Sequence, residues 1–352
     1  MTDDSHPAHL SPSELGTKDY WETFYARTLS HLSTKHTTTT KPTYNPNTES
    51  SSEESEDDID DDSDPGTSWF SEHNAPDKVL QFLTDEEFPL APVNTNTNNS
   101  KDGDEQAPSI LDLGTGNGSM LALLRKRGGY KGVMVGIDYS IRSVQLAREL
   151  QRLRIHSAYL SDSEDEESDE DEDEGGKGGK DGEGGDTNIR FEEWDILHGD
   201  VYQTSTSEEE GGYGERKGGK VDWFPYDKGG FDIVLDKGTF DAVSLSDEVI
   251  SDADGGGAAA GEGHASGKTV QRRVCERYPG IVRGLVRKGG FVVVTSCNWT
   301  EEELVAWFTR GDASSGGDGE DKFVVWGRVE YPRFRFGGRE GQGVCTVCFQ
   351  RV

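Results

Sequence analysis

The run Asp112-Leu-Gly114-Thr-Gly116-Asn-Gly118 puts three glycines and a carboxylate where an apolar stretch, Ser109 to Leu113, gives way to a helical pattern, Ser119 to Arg127. Glycines at such a junction let the backbone approach a ligand closely, and the first amides of the helix point at it. A dinucleotide fingerprint wants Gly or Ala at position 119, which is Ser here, and Asp112 beside the loop is poor company for a pyrophosphate. A carboxylate there suits a cationic ligand carrying an amino group or a sulfonium. Asp138 follows Gly118 by twenty residues and ends the next apolar run, the place from which an acid accepts hydrogen bonds from both ribose hydroxyls. Asp195, at the end of a third run, could accept from an adenine amino group. Taken together, these demands describe S-adenosylmethionine as the cofactor.

A second set lies at Phe231-Asp-Ile-Val-Leu-Asp236-Lys-Gly-Thr-Phe-Asp-Ala242. A transferable methyl group would be presented beside such a fourth-strand exit. Asp236 could hold an ammonium before it loses its proton, or polarise the amine during attack. Alternatively it caps the helix that follows. Asp241 caps or orients the same loop rather than acting directly. Cys345-Thr-Val-Cys348 has metal or redox spacing, but no second pair exists for a zinc ribbon, and the surrounding residues read as a strand. Free thiols in a sheet are expected there. The histidines show no ligand spacing along the chain, so no metal is expected.

Alternating elements must position these groups. Helical patterns run over Ser11–Leu29, whose aromatic residues Tyr20, Trp21, Phe24 and Tyr25 share one face, and over Trp69–Leu83, Ile141–Leu153, Val270–Val286 and Glu301–Phe308. Strands are expected at Ser109–Leu113, Gly132–Ile137, Asn188–Trp194, Phe231–Leu235 and Gly290–Thr295, followed by two closing strands at Lys322–Tyr331 and Gly343–Val352. That order predicts an α/β fold: a Rossmann-like, seven-stranded, mostly parallel sheet with an antiparallel hairpin at one edge. Ligands bind beyond the carboxyl ends of such strands.

The 352 residues carry a formal charge of −32, which excludes a general nucleic-acid binder, since phosphate contacts need a basic face. No apolar run is long enough to cross a membrane, and Met1 to Leu10 lacks the pattern of a secretory signal. Four cysteines in this length point to a reducing, cytoplasmic or nuclear setting. The charge is concentrated: Glu53–Asp64 and Asp162–Glu174 hold twenty of the 68 acidic residues. Such runs cannot bury a core and are expected to be disordered. They either steer a basic protein partner or are solvated insertions with no specific role. The predicted organisation is an arm over residues 1–30, a disordered acidic insertion over 31–68, and one domain over 69–352 with flexible insertions near 94–106, 157–186, 200–220, 252–268 and 311–321. A monomer is expected.

At this point the residues carry a family likeness. The chain resembles the seven-β-strand protein-lysine methyltransferases, and more narrowly the elongation factor 1-alpha lysine methyltransferase group, which includes methyltransferase-like protein 10 in animals and elongation factor methyltransferase 4 in fungi. The likeness rests on Ser13–Trp21, Ile110–Gly118, Gly136-Ile-Asp-Tyr-Ser140, Asp232–Ala242, Thr295-Ser-Cys-Asn-Trp-Thr300, Phe336-Gly-Gly338 and Val347–Arg351. The Asp-Lys-Gly-Thr and Ser-Cys-Asn-Trp-Thr runs are its most specific parts. The resemblance implies that Asp112, Gly114, Gly116 and Gly118 line the methionine moiety, Asp138 with Tyr139 binds ribose, Asp195 with Ile196 binds adenine, and Tyr20 and Trp21 cover the cofactor. It implies that Asp236 borders the target amine and that Asn298 and Trp299 line a lysine channel, unless these last two are core or capping residues. The long insertions depart from the pattern and affect the rim of the substrate groove. The implied substrate is a lysine of elongation factor 1-alpha. Alternatives are another protein, an RNA or a small molecule as acceptor, or a scaffold that binds cofactor without transfer. An Asn-Pro-Pro-Tyr-like exit, which would point to an amide or nucleobase nitrogen, is absent.

Overall fold

The structure is a computed structural model that describes residues 6–38, 65–66, 70, 73–95, 107–159, 188–202, 220–250, 272–310, 321–336 and 339–352. Both acidic runs, and most of the insertions expected from composition, lie outside the described residues. The strands form a seven-stranded sheet in the order β3 (Ile189–Glu193), β2 (Met134–Asp138), β1 (Ile110–Leu113), β4 (Phe231–Lys237), β5 (Val286–Ser296), β9 (Cys345–Arg351), β6 (Phe323–Val329), with a separate two-stranded ribbon of β7 (Arg333–Phe336) and β8 (Arg339–Gln342). The chain divides into two compact units, Trp21–Trp194 and Met1–Tyr20 with Asp195–Val352.

In the first unit, β1 (Ile110–Leu113), β2 (Met134–Asp138) and β3 (Ile189–Glu193) are parallel neighbours, with Asp112 opposite Gly136 and Asp138 opposite Glu193. Every residue of β1 and β2 is buried, as both faces of a parallel sheet require, and so these strands read as unbroken apolar runs. Helix α1 (Lys18–Thr38) starts later and ends later than the pattern from Ser11 to Leu29 suggests. Glu14–Gly16 instead form a 3-10 turn that ends on extended Thr17, whose hydroxyl accepts from the Tyr20 amide at 3.4 Å. At its other end the helix meets no Gly or Pro before Thr38, so it continues into the stretch assigned to the 31–68 insertion. Helix α2 (Ala75–Thr84) carries Pro76 in its first turn, where a missing N–H costs nothing. It is followed by the short α3 (Pro92–Thr95), by α4 (Ser119–Lys126), which leaves the glycine loop, and by α5 (Ile141–Leu153). The Ser140 hydroxyl caps α5 by accepting from the Ser143 amide.

In the second unit, β4 (Phe231–Lys237) and β5 (Val286–Ser296) are parallel, while β9 (Cys345–Arg351) runs antiparallel between β5 and β6 (Phe323–Val329). The closing strands therefore do form an antiparallel edge, but the last strand is inserted inside it. Helix α6 (Thr239–Ser244) follows β4 directly. The helix expected over Val270–Val286 is shorter. Among its described residues there is a 3-10 turn at Val274–Glu276 and then α7 (Tyr278–Leu285), with Pro279 in its first turn. Proline has no N–H for an interior helical bond, so the two pieces cannot merge across it. Helix α8 (Glu301–Thr309) opens with a capping box between Thr300 and Glu303. The ribbon of β7 (Arg333–Phe336) and β8 (Arg339–Gln342) was not expected. Cys345 and Cys348 are buried free thiols in β9. No helix among the described residues is long and apolar enough to cross a membrane.

Candidate functional site

The glycine loop owes its shape to backbone that only glycine adopts readily. Gly114, Gly116 and Gly118 have φ of 57°, 58° and 75°. Around it, Thr115 donates from its amide to Ile137 O at 2.9 Å and from its hydroxyl to Asp112 at 2.8 Å. Asp112 is thus a buried member of the loop's frame. The three glycines do different things. A Cβ on Gly118 would lie 2.6 Å from Phe191 Cζ and 3.0 Å from the Tyr159 hydroxyl, so this glycine lets the loop pack onto β3. A Cβ on Gly116 would meet the Tyr25 hydroxyl at 3.1 Å, whereas Gly114 is exposed.

Asp138 ties this loop to the end of β2. Its carboxylate accepts from the amides of Ser140 at 2.9 Å and Gly116 at 3.2 Å. The Ser143 hydroxyl lies 2.7 Å from Asp138 Oδ2 and 2.8 Å from Gly116 O. One hydroxyl hydrogen serves only one of these, so turning it to Gly116 leaves Asp138 Oδ2 able to accept from another donor. Burial pushes the Asp138 carboxyl up to about 6, against the opposing effect of those hydrogen bonds. Tyr139, next to it, is half-buried.

Trp21 sits on α1 within an aromatic group, stacked on Tyr25 at 5.9 Å and edge-on to Phe24 at the same distance. Glu22, from the same turn, accepts from the Ile141 amide at 3.1 Å. The side chain against the glycine loop is Tyr25, which the spacing placed on the aromatic face but which was not among the expected site residues. Tyr20 is half-buried at the start of α1.

The second unit holds the remaining expected residues. Asp195 lies just past β3 as the acceptor of a tight turn, bonded by the Leu197 amide at 2.9 Å and placed 3.0 Å from His198 Nδ1. His198 in turn reaches Glu248 at 2.8 Å, and its pKa is raised by these two carboxylates despite partial burial. Ile196 is buried. Asp236 is 1% exposed and accepts from the amides of Thr239 and Phe240 at 2.9 and 3.1 Å and from the Tyr278 hydroxyl at 2.7 Å. Burial pushes its carboxyl up to about 7. The capping role left open for Asp236 is the one its geometry displays, and both its oxygens are occupied.

Asp241, fully buried, accepts from the Ser296 hydroxyl at 2.5 Å and the Cys297 amide at 2.9 Å. It therefore fixes the turn after β5, and burial raises its pKa. Asn298, on that turn, is exposed. Trp299 lies in an aromatic cluster, the core position left open for it beside the channel role. It is 5% exposed, stacks on Phe240 at 6.0 Å, meets Trp307 at 5.6 Å and donates from its indole to Ser244 at 3.3 Å. A bulky indole next to other aromatic rings gains more from core burial than from lining a wet channel. Cys297 is exposed as a residue, but partial desolvation of its thiol and the adjacent Asp241 push its pKa up to about 12, so it is a poor nucleophile.

The structure also assembles a group that spacing along the chain does not reveal. His6, His9 and Glu276 offer ligand atoms that all lie within 4.8 Å of one another. The two histidines are close in sequence, but the glutamate lies 267 residues beyond His9, so no local motif announces it.

Comparison with known proteins adds the following. The family described as a methyltransferase domain matches residues 104–172, which include the glycine loop and Asp138. Protein-lysine N-methyltransferase EFM4 of Saccharomyces cerevisiae is 30% identical over 342 residues, covering 97% of this chain and 96% of that protein. Its namesake in Schizosaccharomyces pombe is 26% identical over 346 residues, covering 97% and 95%. EEF1A lysine methyltransferase 2 of Homo sapiens is 24% identical over 341 residues, covering 97% and 88%. Among solved structures, the N-methyltransferase NodS of Bradyrhizobium japonicum WM9 aligns over 80% of this chain and 90% of its own at 12% identity, with a TM-score of 0.35, too low to bear on function.

Proposed function

The chain belongs to the family of protein-lysine N-methyltransferases that includes EFM4 and EEF1A lysine methyltransferase 2, and from that premise we propose that it uses S-adenosylmethionine to methylate a lysine of translation elongation factor 1-alpha. The observation that carries the cofactor reading is the clamp between Asp138 and the Gly116 amide. It joins a loop of left-handed glycines to a carboxylate that can accept from a ribose hydroxyl. A glycine at position 116 also keeps the loop free of a side chain that would meet the Tyr25 hydroxyl at 3.1 Å.

In this reading the loop from Gly114 to Gly118 and Asp112 receive the amino-acid end, Asp138 with Tyr139 receives the ribose, and Asp195 with Ile196 receives the adenine. Trp21 and Tyr25 supply aromatic faces, which favour a neighbouring cation. When bound, S-adenosylmethionine supplies a methyl group on a positively charged sulfur that needs no further activation. The protein's work is alignment and exclusion of water. A lysine amine has an ordinary pKa of about 10.4, so it must shed a proton to water before attack. Asp236 and Asp241, with their oxygens already accepting from neighbours, act as positioning residues. Asp236 fixes the start of α6, and Asp241 fixes the turn that presents the Asn298 carboxamide to the incoming amine. The acidic balance suits a basic protein partner by electrostatic steering. The enzyme acts as a monomer in the cytoplasm, without a nucleic-acid or membrane partner, and its buried free thiols are compatible with a reducing setting.

The test is incubation with labelled S-adenosylmethionine and recombinant elongation factor 1-alpha, with the product mapped by mass spectrometry. Label on a lysine of the factor, lost in Asp138→Ala, is expected. Label on RNA or on no macromolecule at all would overturn the reading.

A further inference from the structure

The N-terminal segment carries a side-chain cluster with no part in methyl transfer. We propose that His6, His9 and Glu276 form a divalent-metal site of the zinc type, which clips this segment to the 3-10 turn ahead of α7.

The nitrogen atoms are set up as ligands. His6 Nδ1 lies 2.8 Å from Pro7 O. A carbonyl can only accept, so Nδ1 carries the proton and Nε2 presents its lone pair, 3.9 Å from Glu276 Oε1. Metal-binding histidines are oriented in this way by a hydrogen bond at the other ring nitrogen. His9 Nε2 is sealed from solvent and faces the same carboxylate oxygen at 3.3 Å. A buried nitrogen facing a carboxylate needs a positive charge between them, which a proton or a metal ion supplies. Ligands about 2.0–2.1 Å from a tetrahedral zinc are separated from each other by about 3.4 Å. The 3.3 Å pair already has this spacing, and the wider pairs, all within 4.8 Å, need to close around the ion.

The surroundings hold all three groups in place. The Arg273 amide donates to Glu276 Oε1 at 2.9 Å and the Arg272 side chain to Oε2 at 3.0 Å, which fixes the carboxylate. The two imidazoles lie 4.4 Å apart, and His6 stacks on the Trp307 indole at 4.9 Å. The segment that follows is already anchored: Arg273 donates to Leu10 O at 2.6 Å and the Ser13 amide to Leu245 O at 3.0 Å. Three protein ligands leave one position for water, the usual count for an open zinc site. The guanidinium groups of Arg272 and Arg273 oppose a cation, so the site binds less tightly than a closed structural one.

The experiment uses the full-length chain, without an affinity tag and stripped with chelator, titrated with Zn²⁺ and with Co²⁺. One tight equivalent is expected, with the visible bands of tetrahedral Co²⁺, a change in Trp307 fluorescence and a rise in melting temperature with zinc. His9→Ala should weaken binding at least about tenfold. His6→Ala, at the most exposed of the three residues, should do the same and covers the case in which the first variant does not fold. Equal affinity in wild type and His6→Ala would assign bound metal to the acidic runs or the cysteines and overturn the proposal. So would the absence of tetrahedral cobalt bands.

Discussion

Two carboxylates at strand ends, Asp138 at the end of β2 and Asp236 near the end of β4, look alike in the sequence and are both buried and shifted upward in pKa. They differ in what occupies their oxygens. Asp138 shares one neighbour, the Ser143 hydroxyl, with a backbone carbonyl, so an acceptor can be released to a ligand. Asp236 is held by two amides and a tyrosine hydroxyl, with no partner that has an alternative acceptor among the contacts described. In the proposed reading the first binds ligand and the second clamps structure. A strand-end acid in this class of sheet is therefore assigned by its hydrogen-bond partners, not by its position.

The largest expected effect follows from removing the clamp. Asp236→Ala strands two amides and the Tyr278 hydroxyl in the interior, and each stranded donor costs about 1–3 kcal/mol. We expect a loss of about 3 kcal/mol or more in urea unfolding. A neutral loss within about 0.5 kcal/mol would mean that Asp236 is not a clamp. The pH dependence has a definite sign. With a folded pKa of about 7 and an ordinary value near 3.8, Asp236 binds more protons folded than unfolded in that window. Its contribution to stability is therefore greatest at low pH and falls as pH rises toward 7.

The next effect concerns Asp138. The ionised carboxylate is the better acceptor for a ribose hydroxyl, and its pKa is about 6. Cofactor affinity should rise about tenfold from pH 5 to pH 7.5 as the ionised fraction grows. Asp138→Asn should flatten that profile in calorimetry. A profile unchanged by the substitution would remove Asp138 from the ribose site.

Smaller changes are expected at the exposed rim. Asn298→Ala should leave stability within about 0.5 kcal/mol while lowering kcat/KM for elongation factor 1-alpha severalfold. Normal turnover would return Asn298 to a surface role. The smallest effect is that of charge alone. Deleting residues 162–186 should raise KM for the protein substrate at low salt and change little at high salt. Unchanged low-salt kinetics would reject steering.

Much of this was legible in the chain because buried parallel strands have no polar face to obscure them. β1 and β2 read directly as apolar runs ending in the loop and in Asp138. The roles of Asp236 and Trp299 were not legible, because they depend on Tyr278, Phe240 and Trp307, which arrive from other elements. β7 and β8 are four residues each and α6 is six, lengths too short for periodicity to mark them. His6 and His9 meet Glu276 across a separation of 267 residues or more, which no spacing rule spans.

The contrast between a binding and a clamping aspartate can be read in one calorimetric series at pH 7.5, titrating S-adenosylmethionine into wild type, Asp138→Ala and Asp236→Asn, with each variant checked for folding. Loss of a hydrogen bond to a charged acceptor is worth about 1.5–3 kcal/mol. Asp138→Ala should therefore bind at least about tenfold more weakly, while Asp236→Asn keeps affinity close to wild type and loses melting temperature instead. Wild-type affinity in Asp138→Ala, or a selective loss of binding in a fully stable Asp236→Asn, would contradict the assignment of the two residues.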